Sequence, residues 1–184
     1  MMIEQDTIRL LRECDAGIQM GVSAIDDVLE RVQAPDMYRR LSACKRAHES
    51  LKTEINVMLA DCHDDGKAPN PLAQGMSWLK TNAAIAMNGS DQTIASLMTD
   101  GCNMGVKSLG RYLNQYEAAS EDSKDITKRL IGLEQKLSDD LYRDAMALDV
   151  RQVQGANVTA TQIRFNYEPL DKKADEFEAQ VTAC

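Results

Sequence analysis

The sequence predicts an all-α protein, an up-down four-helix bundle followed by one further helix, and three observations carry that prediction. Apolar residues recur at alternating three- and four-residue steps along four long stretches. Of the 184 residues 43% are hydrophobic but only 4% aromatic, a balance that suits helices better than sheets. The triplet Met20-Gly21-Val22 recurs as Met104-Gly105-Val106, 84 residues later, so the bundle reads as a duplicated helical hairpin.

The first helix follows from Ile8, Leu11, Asp15, Ile18, Val22, Ile25, Leu29 and Val32, a seam interrupted only by Asp15. Ala34-Pro35 closes it and opens the second, because proline suits the first position of a helix. There Met37, Leu41, Cys44, His48, Leu51, Ile55, Met58 and Cys62 repeat the spacing, antiparallel to the first across a tight turn. A breaker-rich linker, Asp64 to Pro71, leads to a shorter helix predicted over Leu72–Met87, which carries Trp78 as a cover for the core. At 1.5 Å per residue that segment reaches about 24 Å, enough for a long crossover between hairpins. Asn88-Gly89-Ser90-Asp91 caps the third helix, with its seam at Ala95, Thr99, Cys102, Val106, Leu109, Leu113 and Tyr116. Ser120-Glu121-Asp122-Ser123 starts the fourth, with Ile126, Leu130, Leu133, Leu137 and Leu141.

The formal charge of -8 and the scattering of basic residues in pairs such as Arg39-Arg40 argue against direct nucleic-acid binding. Five cysteines without a CxxC spacing encode neither a disulfide framework nor a zinc knuckle, which points to a reducing, cytoplasmic setting. No apolar run approaches the length of a membrane span.

The stretches Cys14-Asp15-Ala16-Gly17, Gly75 to Asn82, Asp100 to Gly105 and Arg111 to Tyr116 stand out within residues 3–144. Through them this span resembles an uncharacterised bacterial family of ferritin-like four-helix bundles. The resemblance implies a ferritin-like fold with a long crossover. Ferritin-like metal sites place a Glu on the first helix of each hairpin and Glu-x-x-His on its partner. Here Ile18 and Cys102 follow the relevant glycines, Lys45 stands three before His48, and the fourth seam has no histidine. No metal or other cofactor is therefore expected; the residues best placed to serve as ligands if one did bind are Asp15, His48, Glu49 and Glu134. With the hairpin turning near residue 35, Asp15 and His48 should miss each other by about 9–10 Å along the axis, and His48 should face Gly21. Cys44 and Cys102 are expected to be buried thiols without a catalytic base.

Residues 1–145 are thus expected to form the bundle and 146–184 an appendage, a short extended piece (Leu148, Val150) and then a fifth helix. That helix is marked by the capping box Thr159–Gln162 and by Ile163, Tyr167, Leu170, Ala174, Phe177 and Val181, with a break near Pro169. Residues 148–182 resemble a segment of the portal proteins of tailed phages, so the reading frame looks composite. The function expected is non-enzymatic and works through a protein partner or a second copy. One alternative is a metal-binding stress protein. Another is an acidic, phage-linked inhibitor of a host nucleic-acid-binding protein, such as an immune nuclease.

Overall fold

A computed structural model describes residues 2–62 and 90–155, with side chains over 5–62 and 90–143. The predicted crossover helix with Trp78 and the fifth helix lie outside the described residues. The chain divides into two units, Met1–Ala145 and Met146–Cys184, and the bundle belongs to the first. The described residues form helices α1 (Met2–Leu29), α2 (Pro35–Asp61), α3 (Asp91–Gln115) and α4 (Glu121–Gly155), with no strand among them. The all-α bundle class read from the seams is the class observed.

The helix ends follow the local chemistry. Pro35 opens α2, where its missing N–H costs nothing, behind an extended Ala34. The backbone N–H groups of Gln33 and Ala34 donate to the Asp91 carboxylate at 2.9 and 2.6 Å, so the first residue of α3 ties down the α1–α2 turn. Ser90 caps α3 by accepting from Thr93 N–H at 3.4 Å, and Ser120 caps α4 by accepting from Ser123 N–H at 3.3 Å. Val32 lies beyond the end of α1 but packs on the core from the turn.

Side-chain pairs give the helix directions. Thr7 meets Ser120 and Cys14 meets Thr127, both partners advancing by seven residues, so α1 and α4 run parallel. Arg40 meets Asp140, His48 meets Glu134 and Glu54 meets Arg129, so α2 and α4 are antiparallel. Asp91 sits at the α1–α2 turn while Gly21 and Gly105 flank the same Glu134 side chain, so α3 runs antiparallel to α1 and parallel to α2.

Two apolar clusters fill the bundle. One gathers Leu10, Leu11, Ile18, Leu51, Ile55, Leu109 and Leu130; the other gathers Ile25, Met37, Leu41, Ile94, Met98, Leu137 and Leu141. Along every helix, the position between the clusters is a glycine or a polar residue: Gly21, His48, Gly105 and Glu134.

Five seam positions differ from the sequence reading, each by a shift of one residue. Cys14 is fully buried and Asp15 only half so, Val28 replaces Leu29, Leu59 replaces Met58, Met98 replaces Thr99, and Glu134 replaces Leu133, which is partly buried. A three-four and a four-three step both satisfy the heptad, and spacing alone does not choose between them. Burial takes Cys14 over an aspartate and Met98 over a threonine, as desolvation dictates; Glu134 goes inward because His48 receives it. The extended piece expected after residue 146 is corrected as well. Residues 146–155 continue α4 as helix to Gly155, since no glycine or proline interrupts 133–154.

The four apolar seams read from the sequence all lie before residue 145. Deleting residues 150–184 is therefore expected to leave a cooperatively melting helical bundle; loss of helical circular dichroism throughout would show that the appendage belongs to the core.

Candidate functional site

The polar layer between the two clusters is the chemically distinctive part of the bundle. His48 is 1% exposed, and its Nε2–H donates to Glu134 Oε1 at 2.9 Å. Its Nδ1–H donates to the Cys44 carbonyl oxygen one turn back at 3.0 Å, with Cys44 Sγ 3.4 Å away. Nδ1 faces a carbonyl and Nε2 a carboxylate, so both nitrogens carry protons and the ring is an imidazolium. Burial by itself lowers the His48 pKa, but the hydrogen bonds with Cys44 and Glu134 prevail and hold it up at about 10. The Cys102 thiol joins the same carboxylate. Burial first, and then the Glu134 charge and hydrogen bond, push its pKa strongly up. Burial likewise pushes Cys14 up to about 11, partly offset by its hydrogen bond to Thr127 at 3.2 Å.

These states limit the chemistry. An imidazolium has no lone pair with which to take the Cys44 proton, and thiols held protonated are poor nucleophiles. Of the four residues considered as metal ligands, the structure brings His48 and Glu134 together and leaves the others apart. Asp15 accepts from Gln19 on its own helix at 2.6 Å, and Glu49 points outward, 4.0 Å from Lys45. His48 faces Gly21, as axial counting places it: a Cβ on Gly21 would lie 3.1 Å from His48 Nε2. Among the described residues no three His, Cys, Asp or Glu side chains form a group that could hold a metal ion. Nε2 would also have to lose its proton before it could coordinate. The described residues do not fit a ferritin-like metal centre.

Above the layer, α1 and α3 leave a cavity of about 270 Å³. It exists because its walls carry Ala16, Gly17, Gly21, Gly101 and Gly105 where larger side chains would meet, and Glu134 and His48 line its floor. A second, larger hollow of about 460 Å³ lies on the opposite side, between α2 and α4, bordered by Asp36, Arg39, Arg40, Lys136 and Asp140. Asp140 is buried there: Lys136 donates to it at 2.6 Å, Arg40 stands at 3.2 Å, and Arg143 also pairs with it. These cations, Lys136 first, hold its carboxyl below the usual range. Tyr38 and Tyr142, which do not line this groove, are 47% and 56% exposed. Sequence reading missed this basic groove because its cations come from two helices about 100 residues apart and look scattered along the chain.

In comparisons with known proteins, no family profile, no curated protein and no solved structure matches the chain. No helix among the described residues is long and apolar enough to cross a membrane.

The His48 charge makes stability depend on pH. A group whose folded pKa is raised stabilises fully below its unfolded value, near 6.5, and that contribution is lost as pH rises through the folded value, about 10. Denaturant melts are expected to show a fall on the order of 4 kcal/mol over this window. A variant with leucine at both His48 and Glu134 should lack this fall, and an equal fall in that variant would assign it to other groups.

Proposed function

We propose that this protein is a non-catalytic, ferritin-like helical bundle that acts through protein contacts. The observation that carries this reading is the α2–α4 groove. Arginine is among the side chains that most often dominate protein interfaces, because it combines a large contact area with a polar tip. Here Arg39, Arg40 and Lys136 line one hollow. Against Asp36 and Asp140, the Arg39, Arg40 and Lys136 side chains leave the hollow one net positive charge on a chain of charge -8, which suits a partner segment that offers a carboxylate. The core is a poor rival for the role, since its thiols are held protonated and its histidine is already paired.

The ferritin-like part draws support from the helix directions. α2 ends at the far end of the bundle from the start of α3, the order that a duplicated hairpin with a lengthwise crossover produces. The test compares the full chain with the variant Arg39→Glu/Lys136→Gln, both at exposed positions lining the groove. A partner, whether a second copy seen by native mass measurement or a protein recovered from host lysate, is expected on the parent and lost on the variant, with helical circular dichroism unchanged. Equal recovery on both would remove the groove from the reading.

A further inference from the structure

The cavity between α1 and α3 plays no part in surface contacts, and its lining is specific. We propose that it binds a neutral, mostly apolar molecule of about bicyclic size with one hydrogen-bond donor, seated with that donor on the Glu134 carboxylate.

Size is the first argument. A dry cavity of about 150 Å³ takes up benzene, so the 270 Å³ here has room for a fused bicycle. The walls give the second. Met20, Met98 and Met104 line the space together with Leu109, and thioether chains adapt to flat, polarisable ligands. Met104 is 48% exposed.

The floor supplies the polarity. Glu134 Oε1 lies 3.7 Å from where a Gly21 Cβ would stand and 3.9 Å from where a Gly105 Cβ would stand, so the two glycines leave the carboxylate uncovered toward the cavity. A carboxylate has about four lone-pair sites. His48 takes one, which leaves acceptor capacity on the floor of the cavity. A ligand must therefore donate. It is also uncharged, because Glu134 and His48 already cancel each other at the floor, where a further ion would be buried beside a neutral pair. Farther out, Glu13 and Arg111 offer one charge of each sign.

The test uses the full chain and two probes of the same shape, indole with its N–H donor and benzofuran without one. Titration followed by amide NMR is expected to shift Gly21, Gly101 and Gly105, with indole binding at least tenfold tighter than benzofuran. Gly17 lines the cavity, and a Cβ there would meet nothing within 4 Å, so Gly17→Leu should fill the space and abolish binding. Gly105→Ala, whose Cβ would make ordinary contact at 3.6 Å, is the second, milder block and should weaken binding should Gly17→Leu fail to fold. No indole binding at millimolar concentration overturns the site. Binding unchanged in the folded variants also overturns it, since the probe then sits elsewhere. Equal affinity for benzofuran overturns Glu134 as the acceptor, and with it the ligand class.

Discussion

Replacing Glu134 by leucine is expected to destabilise the fold by about 3–5 kcal/mol, the usual cost of removing one partner from a buried ion pair. The mechanism is specific. With the carboxylate gone, His48 at 1% exposure has no counterion, so it must give up its proton and leave Nε2 without a partner. Replacing His48 and Glu134 together by leucine removes both charges from an interior whose neighbours are already apolar, and buried pairs exchanged whole for hydrophobic residues are often neutral or stabilising. The double variant should therefore recover most of the loss. Urea melts of the four proteins in a double-mutant cycle provide the measurement. A single-variant cost below about 1 kcal/mol, or a double variant as unstable as the sum of the singles, would show that the pair is not held as described.

That pair also explains how far the sequence could be read. The four helices, the turn at Pro35 and the Ser90 cap were legible because each rests on local chemistry: a missing N–H, a hydroxyl placed to accept, a repeating apolar step. His48 facing Gly21 followed from axial counting alone. The inward turn of Glu134 did not, since Leu130-Ile131-Gly132-Leu133-Glu134 offers Leu133 at an equally good heptad step, and only the imidazolium on another helix makes the carboxylate the better choice. Asp15 and Thr99 misled for the same reason. Heptad spacing fixes the face of a helix to within one residue, and the residue chosen depends on what stands opposite. The repeated Met-Gly-Val was visible as a duplication, but its consequence was not. The two glycines lie on α1 and α3 around one carboxylate and open the cavity between those helices.

The polar layer gives the bundle its register. A slip of one residue between α2 and α4 would set His48 against Leu133 or Gln135 and bury an imidazolium without its carboxylate. The outer contacts favour the same alignment, with Arg129 gripping Glu54 through two hydrogen bonds at 2.6 and 2.9 Å and Arg40 near Asp140. Being solvent-exposed, the Arg129–Glu54 pair adds little stability. What it shares with the inner pair is geometry.

Leu109→Ala is expected to cost about 2–5 kcal/mol, the range for truncating a buried leucine in a packed core. Leu109 is 4% exposed and packs in the cluster formed with Leu10, Leu11, Ile18 and Leu130. It also lines the α1–α3 cavity, so removing its isobutyl group extends a space that already exists. The cost of such a truncation depends on how well neighbours can close in, and the cavity on one side of Leu109 is walled in part by Gly17, Gly21, Gly101 and Gly105, which have no side chain to move. Leu109→Ala should therefore fall in the upper half of that range. Leu41→Ala, in the other cluster and away from the cavity, is the comparison: it is fully buried, but its neighbours Met37 and Leu137 have flexible side chains that can relax toward the gap. Denaturant melts at one pH measure both. A loss below about 1 kcal/mol for Leu109→Ala would mean that α3 presents a different face to the core. An equal loss in the two variants would mean that the cavity walls close more freely than their glycines suggest.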